Sequence, residues 1–262
     1  MALRNVIYYN SGNPQISLGG IAQLPYTDVI VANLQPTSPS DLTLIGWGTA
    51  FDGELQNNIR LLHDAGKNVL ISFGGALNNN SGLTTAAYQY WWNHLNELLN
   101  QLVPIVENNL FDGIDIDYED DAGFGDNAAY DGVGFLSELT SALYTQLQDS
   151  KIITHAPAPP YWDSHSSYAR GGIAPYYQIW QNVGGAEFNQ IAWFNNQFYD
   201  NSAYDATAAL KVEKYRAIAG LTGHNASSLA RWLAIQPSTK HRASGTKAIS
   251  HLPIWRATLF RH

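Results

Sequence analysis

The sequence predicts an α/β protein, a (β/α)8 TIM barrel, on three observations. Short apolar runs alternate with longer amphipathic ones, the pattern of a parallel sheet buried by helices. The alternation repeats six or seven times, at spacings of roughly 25–40 residues, which favours a barrel over an open sheet. No glycine-rich dinucleotide fingerprint follows the first run, which counts against a doubly wound sheet. Length agrees: 262 residues, 45% of them hydrophobic, can bury one substantial core, and a single barrel takes roughly 250 residues.

Taken in order, "NVIYYN" (5–10) and "DVIVANL" (28–34) predict the first two strands. "ELQNNIRLLHDAG" (54–66) is helical and stops at Gly66, a C-terminal cap signal. "NVLISFGG" (68–75) is a third strand closed by two glycines. "AAYQYWWNHLNELLNQLVPIVENN" (86–109) predicts one long helix or two, with Pro104 as the expected kink. "FDGIDIDYE" (111–119) is the fourth strand, and "AAYDGVGFLSELTSALYTQLQ" (128–148) a helix. "KIITHAPAP" (151–159) is the fifth strand, "YYQIWQNVG" (176–184) a short helix, and "QIAWFNNQFYD" (190–200) the sixth strand. "AALKVEKYRAIAG" (208–220) is a helix and "SLARWLAIQ" (228–236) a weaker seventh strand. No linker or low-complexity segment divides the chain, so a single domain over residues 1–262 is expected.

Bulk composition excludes several function classes. A formal net charge of −8 disfavours nonspecific nucleic-acid binding. The absence of cysteine excludes disulfides, zinc–thiolate sites and cysteine nucleophiles. No apolar run approaches the ~18 residues needed to span a bilayer. The first strand starts almost at once, so no signal peptide is expected before it. A cytoplasmic protein is expected, or an extracellular one if a leader has been removed. "NNS" (79–81) and "NAS" (225–227) are glycosylation sequons. Eight Trp and fifteen Tyr mostly suit core and surface packing, and some would suit a cleft for the flat faces of sugar rings. Charge is uneven: residues 1–213 hold all 22 acidic residues and six basic ones, whereas residues 214–262 hold eight basic residues and no acidic one.

The fourth strand poses the chemical question. Residues two apart on a strand share a face, so Asp115, Asp117 and Glu119 point together, away from Ile114, Ile116 and Tyr118. In a barrel that face is the interior, where carboxylates are expensive unless paired or hydrogen-bonded. Like-charged neighbours share protons, so the array is costly as structure and useful as acid–base machinery. Glu119, at the open end, suits a general acid, with Asp117 as its proton partner and Asp115 as deeper support. Two other readings stand beside this one. A metal site would need His or more carboxylates converging from other strands, and His155 is isolated. A solvated face would suit an edge strand, not one among buried neighbours.

"DGIDIDYE" resembles the Asp-x-x-Asp-x-Asp-x-Glu signature of glycoside hydrolase family 18, with Asp112, Asp115, Asp117 and Glu119 at its fixed positions. "SFGG", with Ser72, Gly74 and Gly75, is similar to the family's third-strand motif. "NQFYD" places Gln197 and Tyr199 where plant and fungal members carry a pair beside the substrate's N-acetyl group, and "THAPAPPYW" (154–162) resembles fungal members. The resemblance covers about residues 5–237 and leaves 238–262 as a divergent basic tail.

What the resemblance implies is retaining hydrolysis of β-1,4 linkages between N-acetylglucosamine residues. The substrate's own acetamido oxygen attacks the anomeric carbon and gives an oxazolinium ion. Glu119 would protonate the leaving oxygen, Asp117 would orient the acetamido group, Asp115 would support it, and Tyr199 would bond its carbonyl. Gln197, Ser72, Gly74, Gly75, Tyr8 and Trp162 are the expected substrate-binding residues, and "SFGG" also reads as packing, its strand passing close to the acidic strand with Ser72 able to bond a buried Asp. The family's eighth strand carries a tryptophan under the cleaved sugar. Only Trp255 is at hand for that place, so the barrel is expected to be incomplete or irregular at its eighth βα unit. No cofactor or metal is implied, and a monomer is expected. Two substrates fit, the chitobiose core of N-glycans and chitin oligomers, with the fungal-type motifs leaning to the first. A non-catalytic carbohydrate-binding protein on the same barrel is the other class, and Glu119 argues against it.

Overall fold

The computed structural model describes residues 4–10, 16–44, 51, 53–75, 81–147, 151–185, 189–199, 201–222 and 231–232. Among them, eight strands form one sheet. They are β1 (Asn5–Tyr9), β2 (Asp28–Ser38), β3 (Asp41–Leu44), β4 (Asn68–Gly74), β5 (Gly113–Asp117), β6 (Ile152–His155), β7 (Trp193–Phe194) and β8 (Arg231–Trp232). The order is β7-β6-β5-β4-β2-β1-β8, with every neighbouring pair on that path parallel. The helices are α1 (Gly53–Asp64), α2 (Ser81–Asn93), α3 (Leu95–Asn108), α4 (Gly132–Gln146), α5 (Pro175–Asn182), α6 (Ser202–Asp205) and α7 (Ala208–Leu221). The result is a curled parallel sheet with helices outside it, an incomplete (β/α)8 barrel.

Three local features depart from the sequence expectations. β2 runs on to Ser38 and turns back as antiparallel β3, a hairpin with no counterpart in the predicted elements. The long helical run breaks at His94, and Pro104 lies inside α3. The cause is side-chain capture of carbonyls: Asn93 Nδ2 donates to the Gln89 carbonyl at 2.8 Å and the His94 ring to the Tyr90 carbonyl at 2.8 Å. The sixth predicted strand pairs as strand only at Trp193–Phe194. Its backbone still follows β6, because Asn195 N donates to the His155 carbonyl at 2.7 Å and Gln197 N to the Pro157 carbonyl at 3.0 Å. The predicted seventh strand contains β8, which pairs with β1; Trp255 and residues 233–262 lie outside the described residues.

The interior of the curl is layered. At the N-terminal ends of the strands, Asp28 accepts from Arg4 at 2.8 Å, Asn68 at 2.7 Å and Thr27 at 2.6 Å. The Arg4 guanidinium also lies 3.8 Å over the Trp193 ring. Above that, Val6, Ile30, Leu70 and Trp193 form a small apolar plug. The larger apolar core lies between sheet and helices, where Phe73, Tyr88, Trp91, Tyr118 and Phe135 pack together. Asp112 sits at the far end of β5 from Glu119. It accepts from Val69 N at 2.7 Å and pairs with His63 at 2.9 Å, tying α1 to β4 and β5.

Strand register brings Ser72 beside Asp115 and Gly74 beside Asp117. Gly74 has φ +111°, and a Cβ there would overlap the Asp117 carbonyl. Gly75 has φ +83°, and a Cβ there would press on the Asn33 amide at 2.8 Å. The glycines of "SFGG" thus let β4 close against the acidic strand. Gly74→Ala is expected to cost about 3 kcal/mol of stability from the clash and the forbidden backbone angle. Urea unfolding checks this, and an unchanged midpoint would contradict the close approach.

Candidate active site

The polar layer above the apolar plug is built on Asp115, which is 0% exposed. Its Oδ1 accepts from Thr154 Oγ1 at 2.5 Å and Asn195 Nδ2 at 2.9 Å. Its Oδ2 accepts from Tyr8 Oη at 2.7 Å and Ser72 Oγ at 3.3 Å. Burial pushes the carboxyl up, and the four donors, Thr154 foremost, pull it back. Each donor comes from a different strand or its extension, so Asp115 is the polar knot of the sheet's inner face.

Asp117, two residues on, is 7% exposed and less fully partnered. Its Oδ1 accepts from Gln197 Nε2 at 2.7 Å and its Oδ2 from Asn33 Nδ2 at 3.3 Å. Burial, then the Glu119 and Asp115 charges, push it well above the usual carboxylate range. Glu119 lies just past the end of β5 and is half-buried. Burial pushes it up as well, while hydrogen bonds from Gln197 and Asp117 pull it back. The two carboxyls share a hydrogen bond that favours a proton on Asp117 and a charge on Glu119. The reason is depth: Asp117 is the more buried, and so the costlier to ionise.

Gln197 fixes the pair. Its Nε2 lies 2.7 Å from the Ala156 carbonyl, 2.7 Å from Asp117 Oδ1 and 3.2 Å from Glu119 Oε1. A carbonyl can only accept, so the amide cannot be flipped. Its Oε1 accepts from Tyr199 Oη at 2.6 Å.

The structure reassigns several expected substrate-binding residues. Ser72 and Gly74 are buried, and they hold or admit the carboxylates. Gly75 N donates to the Asp117 carbonyl at 2.6 Å. The Tyr8 phenol donates to Asp115. Trp162 is 4% exposed, its indole N–H donates to Asn196 Oδ1 at 2.7 Å, and its ring packs on Tyr176 and Phe194. It offers no face to a sugar because its face is core. Trp255 lies outside the described residues.

The sequence reading missed Asn33, Thr154 and Asn195, all of which bond the carboxylates. Thr154 and Asn195 were legible only as polar residues on the inward face of apolar runs. Asn33 turns inward at a register shift in β2 between Val31 and Leu34, which no sequence pattern marks. His155 is core. Thr140 Oγ1 gives its hydrogen to the Leu136 carbonyl at 2.6 Å, so it must accept from His155 Nε2 at 3.0 Å. The other ring nitrogen, Nδ1, then accepts from Tyr176 Oη at 3.3 Å. Burial pushes this imidazole down to about 3, so it is neutral and structural. Among the described residues, no group of three His, Asp or Glu is placed to hold a metal ion.

Comparisons with known proteins show the family. The chain matches the family described as Glycosyl hydrolases family 18 over residues 4–247. A chitinase of that family from Pseudoalteromonas aurantia is 34% identical with a TM-score of 0.73, over 84% of this chain and 77% of the other. The chitinase ChiC of Aspergillus fumigatus is 22% identical (TM-score 0.58; 81% and 73% covered). A fungal endo-β-N-acetylglucosaminidase of family 18 is 19% identical (TM-score 0.56; 81% and 72% covered). No curated protein sequence matches. The protein is therefore a glycoside hydrolase. It belongs to glycosyl hydrolases family 18.

The carboxyl pair has a stability signature. A carboxyl pushed up by folding contributes stability below its unfolded value and loses it as pH rises through its folded value. Asp117→Asn removes that loss and keeps the shape of the protonated acid. The variant is expected to melt higher than the wild type at about pH 8, and the gain is expected to vanish near pH 4. Thermal melts at both pH values check this, and a gain independent of pH would contradict it.

Proposed function

We propose that the protein hydrolyses β-1,4 linkages between N-acetylglucosamine residues with retention, using the substrate's acetamido group as nucleophile. The observation that carries this is which carboxylates are engaged. A conventional retaining enzyme needs a second, accessible carboxylate about 5 Å from the acid. Asp115 is buried under four donors, and Asp117 is hydrogen-bonded to Glu119 itself. Asp121 has one phenol on each oxygen, from Tyr161 at 2.6 Å and Tyr168 at 2.9 Å. Among the described residues, each carboxylate near Glu119 is already engaged, which supports a nucleophile supplied by the sugar.

The steps follow from the resting pair. Substrate covers Glu119 and removes water, which favours its neutral form. The proton passes from Asp117 to Glu119 along their shared hydrogen bond. Glu119 gives it to the glycosidic oxygen as that bond breaks, and the acetamido oxygen bonds the anomeric carbon. The oxazolinium cation forms beside a now anionic Asp117. Glu119, ionised, then takes a proton from the water that opens the ring. To bond the acetamido oxygen, Tyr199 Oη turns its one hydrogen away from Gln197 Oε1.

Chitin oligomers are the proposed substrate, because the 34% identical relative is a chitinase and its likeness spans most of both chains. The N-glycan core is the second reading. It rests on the fungal-type motifs, and the 19% identical fungal enzyme supports the fold alone. The test is incubation of wild type and Glu119→Gln with N-acetylglucosamine hexamer, its fully deacetylated counterpart and a high-mannose glycoprotein. Cleavage of the acetylated hexamer is expected, with a loss of about 10³-fold in the variant. Equal cleavage of the deacetylated hexamer would contradict substrate assistance, and release from the glycoprotein alone would favour the second reading.

A further inference from the structure

Asp121 is not part of the signature, yet it is one of the most firmly held carboxylates beside the acid. It opens a short 3-10 turn (Asp121–Gly123) two residues after Glu119. The turn is anchored by Asp120, whose Oδ1 accepts from Ala122 N at 3.2 Å and Thr85 Oγ1 at 2.9 Å. Its Oδ2 accepts from Tyr130 Oη at 2.8 Å. With the turn fixed, Asp121 reaches the loop after β6. Tyr161 donates to its Oδ1 and Tyr168 to its Oδ2, and the two rings meet edge to face at 5.1 Å. Tyr161 is buried and stacks on Tyr176, so the clamp is rooted in the core.

We infer that Asp121, clamped by Tyr161 and Tyr168, is a positioning residue: a fixed negative charge beside Glu119 that raises the pH above which the enzyme stops working. The clamp itself does not titrate in the working range. Burial and the Asp121 charge push the Tyr161 phenol well up, and burial with the Asp121 hydrogen bond pushes Tyr168 up to about 12. Both remain donors, and a carboxylate with a phenol on each oxygen has no rotational freedom. The charge therefore stays in one place while Glu119 exchanges its proton. It adds to burial in favouring the neutral form of Glu119. The other titratable groups facing Glu119 are Asp117 from β5 and Tyr88 from α2, with Tyr199 held through Gln197. Among the described residues facing Glu119, Asp121 is the one carboxylate that reaches solvent without sharing the Glu119 proton.

This inference deepens the proposed function and rests on Glu119 being the acid. The test is the pH profile of kcat/KM on the acetylated hexamer for wild type, Asp121→Asn and Asp121→Glu, with melting temperatures alongside. The alkaline limb reports loss of the proton that the Asp117–Glu119 pair holds in the free enzyme. Asp121→Asn is expected to move that limb down by about half a pH unit or more, and Asp121→Glu, which restores the charge, to return it toward wild type. An Asp121→Asn limb that coincides with wild type, with only a lowered melting temperature, would overturn the inference and leave a loop brace. Carbon-13 titration of the Glu119 carboxyl in Asp121→Asn reads the same shift if turnover is too slow to profile. Glu119→Gln run in parallel separates the two levels: if it keeps wild-type activity, the reading of Glu119 as acid fails instead.

Discussion

Gln197 Nε2 has two hydrogens and faces three acceptors: the Ala156 carbonyl, Asp117 and Glu119. One hydrogen is fixed on the carbonyl, so one remains for two carboxyl groups. Asn33 Nδ2, at 3.3 Å from Asp117 Oδ2, adds only one long bond, too little for two anions in a buried site, so one keeps a proton. Depth decides which. Asp117 lies under the surface between strands, while Glu119 stands past the end of β5. The stored proton, and so the acid, is a consequence of this shortage of donors.

The barrel interior is arranged to maintain that shortage. Asp115, one layer down, takes four donors and so contributes its charge without competing for the proton. Below it, a plug of four apolar residues separates this carboxylate layer from the Arg4–Asp28 cluster at the opposite end. Such a site is costly to fold, since carboxyls pushed up by burial cost stability whenever they ionise. The glycines of β4 and the aromatic packing outside the sheet supply the rigidity that offsets it.

Much of this was legible in the chain because the signature obeys strand geometry. The period of two in "DGIDIDYE" put Asp115, Asp117 and Glu119 on one face. Gly74 and Gly75 marked a close approach of backbones. The less legible parts depend on three-dimensional neighbours. Thr154, Asn195 and Asn33 are ordinary polar residues in sequence, and only strand register brings them to the carboxylates. The helix break fell at His94 because side chains took carbonyls that the helix needed, an event weaker in sequence than the proline ten residues on. Trp162 suggested a sugar platform by type, and its burial against Tyr176 and Phe194 made it a brace. The site of the resting proton follows from relative depth, which a strand pattern does not encode.

The central claim is that Asp117 and Glu119 hold one proton between them at neutral pH. Carbon-13 carboxyl NMR of the ligand-free protein, with aspartate and glutamate labelled in turn, measures it directly. The account predicts two coupled steps, with Asp117 protonated well above the ordinary range of aspartate and Glu119 carrying the charge. Two independent titrations near about 4 would contradict it.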